Sequence, residues 1–513
     1  MDVIEQLQED LRTGRIDAKR LVDLIGTLQR TLQAAKQRNT ELEQRITELE
    51  LRNAELEKQL AATSGPAKLD EPFSMRAEEK RQEARGKKRR KRKDKGRRGR
   101  VRTADKIAQA ERTEDVYPDG VARSNCSLSH TRPVWRLENG RAVLVAYRVY
   151  RGPNNQYGKI PGVLGRSEFA LEIVVTIAYL VYVVGLSFDK VCLVLSFLQN
   201  LKVSKSQADA LLHQLARHWQ KEFDVLCTLL ANSLVVHTDE TSWSLNSVWA
   251  FLSEKARLLL FGVHKDAATL AALLDPATFA GIVISDDAAV YGHFTQAQKC
   301  WAHLVRKAIK LTLQDPNNVD YRQFADRLLE IYRAACRVQC DGRLGDAGRA
   351  RKVAALENEV IELCSPMWFA ELPPLEGLGN DYRLLVNELM RLLLAEELFT
   401  FVTAQAVEQP NGETRTVGGT NNEAERTLRD PATARKTGRT SKTIHGARRQ
   451  TIVTSVLESL RLYLTTFTLP NVIQEVQGWI ATGRSCFEEL LAKLGLPLPA
   501  QSVLEEVLPS PSG

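Results

Sequence analysis

The feature that most constrains this chain is where it puts its carboxylates. His237-Thr238-Asp239-Glu240-Thr241 closes an apolar, β-branched segment at residues 234–238, and Asp286-Asp287 closes another at 281–285. A third station, Asn421-Asn422-Glu423-Ala424-Glu425-Arg426, opens a stretch with helical character. Between the first two stations lie strand-like segments at 248–252 and 258–263 and a helical one at 267–274. A fold that accepts this sequence must deliver acids at strand ends from distant parts of the chain.

Three adjacent strands, a helix and a further strand is the element order of an RNase H-like α/β fold. In that topology the first and fourth strands are neighbours, which would set Asp239 beside Asp286; the placement is an analogy of fold. Carboxylates brought together this way are oxygen donors that suit two Mg²⁺ ions, with Mn²⁺ as a substitute, for phosphodiester chemistry. Each station leaves a choice. Asp239 and Glu240 are adjacent on a strand and point to opposite faces. Asp286 lies nearer its strand end than Asp287. Glu423 and Glu425 are two apart on a helix and face different ways. The expected set, both as metal ligands and as catalytic residues, is Asp239, Asp286 and Glu425.

The second and third stations are separated by an almost wholly helical region, read as an all-α insertion at 301–415 that interrupts a core running from 233–300 to 416–470. Within the insertion, Cys300-Trp301-Ala302-His303 puts Cys300, His303 and Lys307 on one helical face. No partner in the nearby sequence completes a metal site, so the reading is a core Trp beside His, Arg and Lys side chains facing DNA. Upstream, residues 167–232 are helical, either a helix-turn-helix or a packing layer. Residues 104–166 read as a small β module, with strands at 133–137 and 141–150 joined through Glu138-Asn139-Gly140. Cys126 and His130 there make half of a zinc site and no second pair follows, so zinc is discounted. The apolar run 170–186 contains Glu172 and Gly185 and is short for a membrane span, which favours a buried helix and no membrane association. A C-terminal helix and tail occupy 471–513.

The N-terminus, residues 1–61, carries a heptad pattern. Leu28, Leu42, Leu49 and Leu56 recur on one seam position, and Leu32, Asn39, Ile46 and Asn53 on the other. Buried Asn at the second position favours a two-stranded, in-register coiled coil, hence a homodimer or a larger assembly. Residues 62–103 form a linker ending in a basic run. From Arg85 to Arg102 there are 13 Lys and Arg against Asp94, while the whole chain carries only +8, so the basicity is local. Lys87, Lys88, Arg89, Arg90, Lys91, Arg92, Lys93, Arg97 and Arg98 are the candidate DNA contacts of this arm. Arg306, Arg426, Arg429, Arg435 and Lys436 are candidates nearer the acids. The eight cysteines are scattered, none in a CxxC, and read as free thiols of a cytoplasmic protein.

Taken in order, the zipper, Asp239-Glu240-Thr241, Asp286 five residues before Tyr291, Cys300-Trp301-Ala302-His303 with Arg306-Lys307, Asn421-Asn422 with Glu425-Arg426 and Arg429, and Arg435-Lys436 resemble the transposases of the insertion sequence 66 family. The resemblance implies an acidic-triad DNA transposase with Asp239, Asp286 and Glu425 as metal ligands. It would bind the terminal inverted repeats of its element and a target duplex, cut to a 3′-hydroxyl and join by direct transesterification. Small accessory proteins and a bacterial, nucleoid-associated location are further implications. Members of this family usually carry a CxxC zinc module after the zipper, of which only Cys126 stands here; Thr420 replaces an Asp before the paired Asn, and Asp287 a Gly. The alternatives are a non-catalytic DNA-binding protein derived from a transposase and an RNase H-like nuclease without strand transfer.

Overall fold

A computed structural model describes residues 101–368, 376–499 and 501–508, with scattered helical positions between Gln33 and Arg52. The heptad residues Leu28, Leu32, Asn39, Leu42, Ile46, Leu49, Asn53 and Leu56, and the basic arm at 87–98, lie outside the described residues. The chain divides into two units at Arg100, and the fold below is that of the second, from Val101 onward.

After a short helix at Thr103–Ala108, this unit continues with strands β1 (Arg112–Val116), β2 (Ser127–Glu138) and β3 (Arg141–Arg151), ordered β1-β3-β2. The β2–β3 hairpin turns through Asn139 and Gly140, both at positive φ (49° and 80°). That is the two-residue turn Asn-Gly favours, because its twist matches that of the strands. Val134, Val143, Val145, Tyr147 and Val149 form the core of this small sheet. Sequence alternation did not reveal β1, which pairs in parallel with β3 and exposes much of its length.

The apolar run becomes α1 (Leu171–Ala178), continued by a π turn at Tyr179–Val183. Glu172 is buried within α1 and receives the Arg136 guanidinium at 3.0 Å. No described helix is long and apolar enough to cross a membrane. After α2 (Phe188–Gln199), α3 (Lys205–Ala231) starts from a capping box of Ser204 and Gln207. Its buried stripe includes Leu211, Leu215, Trp219, Phe223, Leu226 and Leu230, spaced three and four apart so that one side faces the core.

The central sheet contains β4 (Val235–Ser242), β5 (Ser247–Ser253), β6 (Arg257–Val263), β7 (Ile282–Ser285) and β8 (Ala297–Lys299), ordered β6-β5-β4-β7-β8. The first three are antiparallel; β7 joins β4 in parallel and β8 joins β7 in parallel. This mixed sheet with flanking helices is the RNase H-like core, and β4 is its middle strand.

Four helices follow the sheet: α4 (Trp301–Gln314), α5 (Val319–Cys340), α6 (Asp346–Trp368) and α7 (Gly377–Leu394). They pack around a core of their own that includes Leu304, Ala308, Phe324, Leu328, Val360, Leu385 and Leu389. Trp301 anchors them to the loop after α7, its indole N–H donating to the Leu398 carbonyl at 2.6 Å. A two-stranded ribbon, β9 (Val407–Glu408) and β10 (Thr414–Arg415), leads back to the core.

The core is completed by α8 (Asn422–Lys436) and α9 (Ile444–Tyr463), followed by α10 (Leu469–Thr482) and α11 (Cys486–Lys493). α9 closes the β6 edge. The N–H groups of Arg257, Leu259 and Phe261 donate to the hydroxyls of Ser459, Ser455 and Thr451 at 2.9, 3.0 and 2.9 Å. Four helical residues rise about 6 Å and two strand residues about 6.6 Å, so a hydroxyl every fourth residue keeps step with every second amide. An edge that would otherwise offer free donors to another chain is satisfied internally.

Candidate active site

β4 and β7 set the first two stations side by side. Their ladder pairs Val236 with Val283 and His237 with Ile284. Two residues beyond this last pair come Asp239, still in β4, and Asp286, one past the end of β7, so the two emerge at about one level from adjacent parallel strands about 4.8 Å apart. The third station is tied to the same place. Asn421 is fully buried; its side-chain amide donates to the Thr238 carbonyl at 2.7 Å, and its backbone N–H donates to Cys300 Sγ at 3.1 Å. The backbone N–H of Trp301 donates to the Gly419 carbonyl at 3.0 Å. The start of α8 is thus fastened to the end of β4 and to the start of α4. On α8, Ala424, Leu428 and Pro431 are buried, and Leu428 packs with Trp243, Val248, Ala250, Leu259 and Phe261.

At each station the two carboxylates have different fates. Glu240 is buried, receives the Tyr291 hydroxyl and pairs with Lys265. Asp239, on the other face of the strand, accepts only the Glu240 backbone N–H, at 2.9 Å, among the described residues. Burial, and then the neighbouring charge of Glu240, push the Asp239 carboxyl up to about 7; Asp286 and Glu425 add smaller contributions in the same direction. The other two expected acids are therefore close enough for their charges to act on Asp239. Burial and Glu240 likewise push the Tyr291 phenol far above its ordinary range.

Asp287 pairs with Arg391 on α7, while Asp286 accepts the Ala288 N–H at 3.1 Å. Behind them Lys299 is buried and bonded to Ser285 Oγ at 3.3 Å; burial lowers its pKa against the pull of Glu397, Asp287 and Asp286. On α8, Glu423 is held by Arg257 at 2.6 Å and Arg415 at 3.3 Å. Burial acts to raise its pKa, but these two guanidiniums outweigh burial and leave it below the ordinary value. Glu425 faces the opposite way, toward His303 Nδ1 at 3.6 Å and the Arg306 guanidinium at 3.7 Å, both longer than hydrogen bonds.

The expected basic residues divide in the same manner. Arg306, Arg426, Arg429 and Lys436 are exposed, and Arg435 is tied to the Ser242 carbonyl at 3.0 Å. A cleft of about 790 Å³ opens on the Glu423 side of α8, with Arg257, Arg426, Arg439 and Arg449 in its lining; none of Asp239, Asp286 and Glu425 lines it.

One expectation is overturned. The sequence points to an all-oxygen site for Mg²⁺ or Mn²⁺ and away from zinc. Among the described residues, the potential ligands whose donor atoms converge are Cys300, His303 and Glu425, all within 4.8 Å of one another. A thiol, an imidazole and one carboxylate are not the oxygen cage a hard cation selects; that donor set belongs to zinc-type sites. Sequence reasoning had Cys300 and His303 on one face but lacked the third donor, which comes from a helix beyond the insertion. It also passed over Lys265, Lys299 and the bridging role of Asn421, whose partners are all distant in the chain.

A model of the transposase IS66 family matches residues 166–449, more than half of the chain and the span that holds all three acidic stations. No curated protein matches the chain.

Proposed function

The chain belongs to the IS66 family of transposases, and from that premise we propose that it cleaves and joins DNA at the ends of its own mobile element, with Asp239, Asp286 and Glu425 as the reacting acids. The observation that carries this reading is the shared level of Asp239 and Asp286 on adjacent parallel strands, with Asn421 fastening the Glu425 helix to Thr238.

The chemistry is exchange of one phosphodiester for another. A water first attacks the scissile phosphorus and frees a 3′-hydroxyl; that hydroxyl then attacks a phosphate of the target, and the displaced oxygen leaves with a proton. Asp239, held near neutrality by burial and its acidic neighbours, is suited to take the nucleophile's proton, because a base works best when its pKa lies near the working pH. Exposed Arg426, Arg429 and Lys436 on α8 offer charge for the phosphates on either side. The basic arm at 87–98 would add sequence-independent, salt-sensitive affinity, and the heptads at 28–56 would pair two chains so that two element ends are held together. The domain arrangement that goes with this reading is a zipper, a basic linker, a β module and a helical layer ahead of a core interrupted by the insertion.

The test is a supercoiled plasmid carrying the DNA that flanks the gene, incubated with purified protein while divalent cations are added one at a time. Cleavage at the repeat ends followed by joining, lost in Asp239→Asn and Glu425→Gln, is the expected result. Cutting without joining would mark a nuclease. Tight binding without cutting would mark a DNA-binding protein and refute the catalytic reading.

A further inference from the structure

We propose that Cys300, His303 and Glu425 form a binding site for a soft or borderline divalent cation of the zinc type, which clasps the start of the insertion to the helix that carries Glu425.

Two buried polar atoms at this place are orphaned. Buried polar atoms nearly always find a hydrogen-bond partner, and one that does not calls for an explanation. His303 Nδ1 and Glu425 Oε1 are both buried from solvent and both lack a hydrogen-bond partner among the described residues. They face each other at 3.6 Å, too far for a hydrogen bond. Two ligands each about 2.0–2.2 Å from a tetrahedral zinc are about 3.3–3.6 Å apart, so the gap is that of two donors meant for one ion. Cys300 Sγ completes the triangle within 4.8 Å.

The backbone prepares these donors. Cys300 and His303 stand at the N-cap and third position of α4, on one face of its first turn. Glu425 lies in the first turn of α8, its N–H bonded to the Asn421 carbonyl. The Asn421 N–H on Cys300 Sγ is the kind of outer contact that supports a sulfur ligand while leaving its other lone pairs free. Cys300 is buried, whereas the His303 and Glu425 side chains are 35% and 24% exposed, so an ion has a way in. Three protein donors leave a fourth position open, which makes the site exchangeable rather than closed. Arg306, near the other carboxylate oxygen at 3.7 Å, offsets charge without occupying the gap.

The test is a Co²⁺ titration of the metal-free full-length protein, followed by absorbance. The expected result is one equivalent bound with tetrahedral bands and a thiolate-to-cobalt charge-transfer band, all erased by Zn²⁺. Cys300→Ser should remove the charge-transfer band. His303→Gln and Glu425→Gln should each weaken binding at least tenfold, with circular dichroism unchanged. A charge-transfer band that survives Cys300→Ser, or wild-type affinity in both other variants, would overturn the site. The readout needs no DNA. Protein that fails to cut yet shows these bands upholds the site and refutes the transposase reading; protein that cuts yet shows no band does the reverse.

Discussion

The two faces of α8 show what this molecule does with its acids. Glu423 and Glu425 are the same residue type, one helical turn or less from the same N-terminus, yet they meet opposite surroundings. Glu423 is neutralised by Arg257 from β6 and Arg415 from β10, and so holds the helix to the sheet and the ribbon. Among the described residues, Glu425 has no hydrogen-bond partner on one oxygen and only loose neighbours at 3.6 and 3.7 Å. The same division runs through the other stations: Glu240 is bound by Tyr291 and Lys265 and Asp287 by Arg391, whereas neither Asp239 nor Asp286 has an ion pair among the described residues. Each station therefore has one acid that builds and one left with charge to use. An unpaired, part-buried carboxylate is costly to stability, and sites of chemistry are where such costs are kept.

This contrast can be broken at several strengths. The largest effect is expected on α8. Glu425→Gln should lower strand joining by at least about 10³-fold with little change in the melting of the metal-free protein, as for loss of a group needed in the transition state. Glu423→Gln should do the opposite, leaving the rate within about tenfold but costing about 2 kcal/mol, because Arg257 loses its main partner in a half-buried setting. Urea unfolding beside the joining assay reads both, and a swap of the two phenotypes would end the comparison.

Asp239 comes next. Its folded carboxyl titrates near 7 against 3.8 as the ordinary value, so between those limits the folded state binds the proton more tightly than the unfolded. Stability falls as pH rises through that window. Asp239→Asn removes the charge and should stabilise the protein by about 4 kcal/mol above pH 7, with no gain below about pH 4. A pH-independent difference in melting would contradict the assignment.

A smaller change is expected from Glu240→Gln. Removing the like charge beside Asp239 lowers the Asp239 pKa, so the acid limb of the pH–rate profile should move to lower pH. The smallest effect belongs to Asp287→Asn. Its bridge to Arg391 is largely exposed, so stability should change by no more than about 0.5 kcal/mol and joining should persist.

Much of this was legible in the sequence, and the gaps have physical causes. The Asn139-Gly140 turn and strands β4 to β7 announced themselves through turn chemistry and apolar runs. Strand β8 did not: Ala297-Gln298-Lys299 is polar, and its burial depends on Gln298 bonding the Leu398 carbonyl and the Phe401 N–H, far along the chain. Thr451, Ser455 and Ser459 are four apart, but nothing local says that they face the amides of an edge strand. The three stations were visible as pairs of acids. Which member of each pair is neutralised depends on Arg257, Arg391, Lys265 and Tyr291, partners that only the fold supplies. The metal expectation failed for the same reason: the third donor beside Cys300 and His303 is Glu425, brought there across the whole insertion.

The most direct test of the account compares six single variants, Asp239→Asn, Glu240→Gln, Asp286→Asn, Asp287→Asn, Glu423→Gln and Glu425→Gln, on one plasmid carrying the element's ends, with products mapped at nucleotide resolution. The first, third and sixth are expected to yield neither cut nor joined ends, while the other three yield both. Joined products from any of the first group, or their complete loss in Asp287→Asn or in a folded Glu423→Gln, would contradict the division of labour proposed for the three stations.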